Sequence, residues 1–230
     1  MEQRQAAQFA GVFQLFRESV SIYKKRFWVF VRLLVGPTLL TYVPELVQPE
    51  TNPFWIAAGF LWFLFTIVLW LLVHLAILCA IQDSTLGARQ AILTALRRIL
   101  PFLWVSAIKN VVVLLGLLFF IIPGIIFSLW YALTSFVFVD EGKRGWEAFK
   151  RSKELMAKMW VPVIWRFFAL IPLLFLGAVG SALPELLPAR LALGAGIIST
   201  AFSMALYPFF FVYGFQVYYQ IKKSKEPDVR

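Results

Sequence analysis

The sequence predicts an all-α polytopic membrane protein. It has six transmembrane helices, three amphipathic interface helices on the cytoplasmic side, and a threefold parallel repeat of interface helix plus helical hairpin. Three observations lead there. Of 230 residues, 61% are hydrophobic and 15% charged, where a soluble chain carries roughly 25% charge. Six apolar stretches approach or exceed the about 20 helical residues that a bilayer core needs. The Lys and Arg residues crowd into every second gap between those stretches.

The first 26 residues are polar and amphipathic, with no apolar core ahead of a small-residue cleavage site. No cleavable signal is expected, and the first span should be retained. The spans are read as Phe27–Val47, Phe54–Gln82, Pro101–Ile122, Ile125–Val139, Trp160–Leu183 and Leu191–Ile221. Little chain is left for a soluble domain, so residues 1–230 read as one integral membrane domain. The turn between the third and fourth spans is placed at Pro123–Gly124. Pro37, Pro172 and Pro208 fall inside spans and are expected to kink them. Gly177 with Ser181, and Gly196 with Thr200, have the small-xxx-small spacing that lets helix backbones approach. Cys79 is the single cysteine, so no intrachain disulfide can form, and it is read as a packing residue.

Orientation follows from the cations. Arg4, Arg17, Lys24, Lys25 and Arg26 precede the first span; Arg89, Arg97 and Arg98 lie in the second gap. The fourth gap holds Lys143, Arg144, Lys150, Arg151, Lys153 and Lys158, and the tail holds Lys222, Lys223, Lys225 and Arg230. The opposite side holds Arg190 alone. Positively charged segments stay in the cytoplasm, so both termini are expected inside, in the cell membrane. Phe27, Trp28, Trp104, Trp160, Tyr218 and Tyr219 would form the inner aromatic belt, and Phe54 and Trp55 part of the outer one. The net charge of +10 hugs span ends, which points to anionic lipid headgroups as partners and away from nucleic acid.

Each odd-numbered span follows an amphipathic stretch. Apolar residues recur at helical spacing at Phe9, Val12, Phe13, Phe16, Val20, Tyr23 and Phe27 in the first. They recur at Ala88, Ala91, Ile92, Ala95, Leu96 and Ile99 in the second. In the third the face is Trp146, Phe149, Ser152, Leu155, Met156 and Met159. Such basic amphipathic helices are expected in the headgroup plane. With their hairpins they give repeat units of approximately 8–82, 86–139 and 145–221. Arg32–Pro37 echoes Arg166–Pro172, and Pro44–Leu46 echoes Pro184–Leu186.

Arg32, Lys109 and Arg166 take matching places, one per odd span, a turn or two from the cytoplasmic edge; His74 lies at similar depth in the second span. An unpaired cation in hydrocarbon costs at least ~2.5 kcal/mol on insertion scales. Snorkelling to the inner headgroups answers that cost. A shared basic pocket for a phospholipid headgroup or another anion, formed by Arg32, His74, Lys109 and Arg166, is the sharper alternative. A conduction or proton path through the same residues is a third, disfavoured because no span carries a deep Asp or Glu. His74 alone also reads as a hydrogen-bonded helix contact.

One His and one Cys cannot supply a metal cluster, and no phosphate-cradling Gly loop occurs in its proper context. Ser106 and Lys109 stand three apart, as a Ser–Lys dyad might, but that spacing arises readily by chance. The expectation is a non-enzymatic protein without cofactor or metal that binds or organises phospholipid or a partner protein at the inner leaflet; a small-molecule or ion transporter or channel, and a lipid-acting enzyme, are the alternatives.

From Ile122-Pro-Gly-Ile-Ile through Asp140-Glu-Gly to Ala148, Arg151-Ser152, Leu155, Lys158 and Trp160, the chain resembles the membrane domain of the glycerophosphoryl diester phosphodiesterase membrane-domain family and related six-span bacterial proteins. The resemblance covers about forty residues and implies membrane architecture. In that family a soluble phosphodiesterase can be fused to the membrane domain; none is expected after Arg230, and no hydrolase activity carries over. Ala148 and Ser152, four apart, would let the interface helix lie flush on the spans.

Overall fold

Hydropathy of this kind leaves the backbone one economical solution, since every amide buried in an apolar medium must be satisfied within its own segment. The computed structural model describes residues 11–43, 53–157 and 159–226, and among them every regular element is an α-helix. In chain order these are α1 (Val12–Thr41), α2 (Pro53–Gln82), α3 (Ala88–Phe119), α4 (Ile121–Trp130) and α5 (Thr134–Asp140). They are followed by α6 (Trp146–Met156), α7 (Trp160–Phe168), α8 (Ile171–Leu186) and α9 (Ala189–Lys225).

Among the described residues four segments are long and apolar enough to cross a membrane: Phe54–Gln82, Ala88–Phe119, Ile122–Asp140 and Gly194–Lys225. The bent pair Trp160–Phe168 and Ile171–Leu186 makes a fifth if it is one span. These five overlap the second to sixth expected spans. The first expected span, Phe27–Val47, lies on α1, which carries Arg26 and Arg32 within its apolar part; residues 44–47 of it lie outside the described residues.

Helix α1 continues through Pro37 and α9 through Pro208, as α3 does through Pro101. The 44° bend between α7 and α8 falls where Pro172 stands at the start of α8. Proline has no N–H to give the preceding turn, and its ring crowds the carbonyl four residues back. Pro162 sits likewise in the first turn of α7, and only the third amphipathic stretch, α6, ends before the next apolar helix. The first two run on without a break into α1 and α3.

The turn expected at Pro123–Gly124 lies three residues earlier. Helix α3 ends at Phe119, Phe120 is extended (φ −155°, ψ 129°), and its N–H donates to the Gly116 carbonyl at 3.0 Å. Pro123 then occupies the first turn of α4, where a missing N–H costs nothing. The fourth expected span, Ile125–Val139, is interrupted between α4 and α5 at Tyr131–Leu133. No Pro or Gly marks that interruption.

The chain forms two compact units, each assembled from separated segments. One comprises residues 1–26, 126–133 and 149–230; the other comprises 27–125 and 134–148. In the second unit α2 and α3 form an antiparallel hairpin, with α5 packed on both. Its buried residues gather at one end: Val73 and Leu75–Ile81 of α2, Phe102 and Val105 of α3, and nearly all of α5. The other half of the hairpin exposes Phe54, Phe60 and Leu61 of α2 and Leu114 and Leu118 of α3. In the first unit α8 packs on α9. There too burial concentrates in the C-terminal part of α9, from Phe209 to Ile221, while Leu174 and Phe175 of α8 and Ile197 and Ile198 of α9 stay exposed. A Cβ on Gly177 would meet Leu206 at 3.3 Å, so α8 and α9 approach closely there; at Gly196 nothing lies within 4 Å.

The first amphipathic stretch splits its faces differently from the periodic reading, and the third, Trp146 apart, follows it. In α1, Leu15 and Ser19 are fully buried, whereas Val12, Phe13 and Phe16 of the expected apolar face are exposed; Phe9 lies outside the described residues. In α6, Ala148 and Ser152 are both fully buried, with Phe149, Leu155 and Met156 beside them. The Ser152 hydroxyl donates to the Trp130 carbonyl at 2.7 Å, Lys153 lies 4.1 Å over the Trp130 ring, and Phe149 meets Tyr131 edge-on. Arg151 pairs with Glu226, and the Lys225 ammonium donates to the carbonyls of Glu154 and Ala157 at the end of α6. A cation there complements the negative end of the helix. So α6 spends its apolar face on protein, and only Trp146, 72% exposed, is left bare at its start.

Candidate functional site

Two features position the cations in the second unit. The loop before α3 closes on itself: the Asp83 carboxylate accepts the Thr85 N–H at 2.9 Å and its hydroxyl at 2.7 Å, an arrangement Asp favours in turns. Helix α3 then starts behind Gly87, whose backbone is extended and whose missing side chain caps nothing. Gln90 reaches back to the Gly87 N–H at 3.2 Å. The first-turn amides of α3 therefore have no side-chain cap from Gly87, and helix starts carry a partial positive charge.

Arg32 of α1 and the first turn of α3 line one cavity of about 700 Å³, together with Gly87, Ala88, Gln90, Ile92 and Leu93; Arg89 is its second cation. The side chains of Arg32 and Arg89 are exposed, and no acidic residue is among those lining the cavity.

His74 and Lys109 do not line this cavity. His74 is half-buried against Phe102, ring centres 5.6 Å apart, and Phe102 leans on Phe138 at 5.4 Å. Lys109, half-exposed on α3, lies close enough to His74 to interact with it electrostatically. His74 sits in an aromatic helix contact, while Arg32 is exposed.

Arg166 belongs to the other unit. It is buried, and its Nη1 donates to the Pro162 carbonyl one turn back, at 3.0 Å. Its own carbonyl accepts the Tyr213 hydroxyl at 2.9 Å. The reason is local: at the α7–α8 break the Leu170 N–H turns to Phe167 at 2.9 Å, which deprives the Arg166 carbonyl of its helical donor. The Tyr23 hydroxyl likewise donates to a backbone carbonyl of α9, that of Ala205, at 2.9 Å. Burial pushes its ionisation above the ordinary phenol range, so it stays a donor. Tyr213→Phe is expected to cost about 1–2 kcal/mol by orphaning a buried carbonyl, read as a lower thermal midpoint. Tyr219→Phe, at a half-exposed ring, is the matched control expected to change nothing.

Arg89 and the α3 start are the residues that sequence reasoning missed. The signal was present as Gly87 directly ahead of an amphipathic run, but Arg89 counted only as a loop cation. Among the described residues no group of three or more His, Cys, Asp and Glu side chains is placed to hold a metal ion. What the cavity offers chemically is two guanidinium groups, uncapped amides and an apolar wall: recognition of an anion, with no nucleophile or base beside it. No protein-family model, no curated protein and no solved structure matches the chain.

Proposed function

We propose that this chain is a non-enzymatic integral membrane protein, threaded six times with both termini in the cytoplasm, that binds or organises anionic phospholipid at the inner leaflet. The observation that carries the reading is the apolar surface that the long helices leave bare. Large apolar side chains stay bare over the N-terminal halves of α2 and α9 and along the whole of α3 and α8, and in water each would forgo about 1.5–3 kcal/mol of burial. Hydrocarbon removes that cost. The well-packed ends of α2 and α9 are those nearest the cation-rich segments, where the headgroups of the inner leaflet would lie.

A pass through Phe27–Val47 completes the five candidate spans to six, an even number that returns the tail to the side of the N-terminus. Burial supports the threefold repeat. Leu15 and Ser19, Ala91 and Ala95, and Ala148 and Ser152 are fully buried pairs four residues apart. Ser19, Ala95 and Ser152 stand 13, 14 and 14 residues ahead of Arg32, Lys109 and Arg166. The architecture is the one implied by the resemblance over Ile122–Trp160, and we extend that kinship to the membrane domain alone.

Reporter fusions test the threading. Fusions after Lys143 and after Lys223 should both report cytoplasm, and one after Glu185 the opposite face. Lys143 and Lys223 on opposite faces would end the six-pass reading, and release of the protein from membranes by alkaline carbonate would end the membrane reading altogether.

A further inference from the structure

We infer that the cavity between Arg32 and the start of α3 is a phosphate site, filled by the headgroup phosphate of an inner-leaflet phospholipid. The inference rests on the membrane reading above and adds to it a location, a ligand chemistry and a second arginine. Two cations from helices far apart in sequence, Arg32 and Arg89, line one cavity of about 700 Å³ with no carboxylate among its lining residues. Guanidinium groups in surface positions ordinarily find carboxylates or disperse into solvent; the Asp83 carboxylate in the loop ahead of α3 is engaged by Thr85. Two planar forks of donors suit the several oxygens of a phosphate, which they can bind in bidentate fashion. The first-turn amides of α3 add donors of the same polarity at the same wall.

The remaining lining distinguishes an ester from a bare ion. Ala88, Ile92 and Leu93 give the cavity an apolar side, unhelpful to a free oxyanion and suited to glycerol and the first acyl carbons. Arg32 lies in the cytoplasmic end of the first expected span and Arg89 in a cation-rich cytoplasmic gap, so the site opens at inner-leaflet depth in the proposed threading. Basic pockets between helix ends on that side are where anionic headgroups are held.

The test begins with alkaline extraction of membranes: protein in the supernatant defeats the membrane reading, and protein in the pellet leaves the site alone at stake. Full-length protein is then exchanged into nanodiscs of phosphatidylcholine, with or without phosphatidylglycerol, and retained lipid is counted by native mass spectrometry. Wild type should retain phosphatidylglycerol in preference to phosphatidylcholine. R32A/R89A should lose about tenfold or more of that preference, and R97A/R98A, outside the cavity, should keep it. Both cavity arginines are exposed; should the double variant fail to fold, R32Q and R89Q singly give the same reading. Inorganic phosphate is the second probe. If it leaves the retained lipid in place, the source is the lipid. If it displaces the lipid and by itself raises the melting midpoint of wild type but not of R32A/R89A, the phosphate site stands and its source is the free ion. Equal lipid preference in wild type and R32A/R89A overturns the inference.

Discussion

Gly124→Val is expected to lower stability by about 3 kcal/mol, the upper part of the range for overpacking a fixed site. Helices α3 and α4 are joined by a single extended residue, Phe120, and the chain doubles back so tightly that Gly124 comes against Leu117. A Cβ at Gly124 would stand 2.5 Å from the Leu117 backbone nitrogen and from two atoms of its side chain. The side chain could swing away; the backbone nitrogen, bound into α3, could not, so the corner itself must open. Even Gly124→Ala should be costly. Gly59→Ala in α2, with nothing within 4 Å, should instead raise stability by up to about 1 kcal/mol, the ordinary helical gain over glycine. Heating detergent extracts and following the monodisperse peak compares the two; a Gly124→Ala variant as stable as Gly59→Ala would refute the corner geometry.

Ser152→Leu is expected to release α6. The position has no exposed surface, so two extra heavy atoms have no room. The hydroxyl also supplies a donor that the Trp130 carbonyl at the end of α4 otherwise lacks. Leaving that carbonyl orphaned costs about 1–3 kcal/mol, and overpacking adds about as much again. Ser152→Ala separates the two effects, since it removes the donor and adds no volume. Release should appear as new protease cleavage between residues 141 and 159 in Ser152→Leu, less in Ser152→Ala, and none in wild type. The Arg151–Glu226 pair is half-exposed, and an ion pair of that kind contributes only about 0–1 kcal/mol, too little to hold α6 by itself. Equal protection of wild type and Ser152→Leu would show that α6 is held by something other than its buried face.

Much of this was legible along the chain. The second span was placed within one residue of helix α2, because a run of apolar residues without Pro or charge leaves the backbone no alternative in a low-dielectric medium. The buried pair Ala148 and Ser152 was legible for a related reason, two small residues four apart on an otherwise bulky helix. The corner at Phe120 was not. Pro-Gly is a turn signal in general, yet a proline is equally at home in the first turn of a helix, and only the partner Leu117 makes Gly124 necessary. The site divided in the same way. Arg32 stood out as a cation inside an apolar run, whereas Arg89 looked like any loop charge until the fold set it beside Arg32.

Helical character and the apolar stretches were determined by the sequence by itself, because each depends on residues within a turn or two of one another. The tertiary structure alone decided which face of α1 is buried, where α3 turns into α4, and which hydroxyl meets which stranded carbonyl. Tyr213 and Arg166 are 47 residues apart and Ser152 and Trp130 are 22 apart. A helix end creates the need for a donor locally, but the donor comes from wherever the chain has folded to, and no local pattern records that.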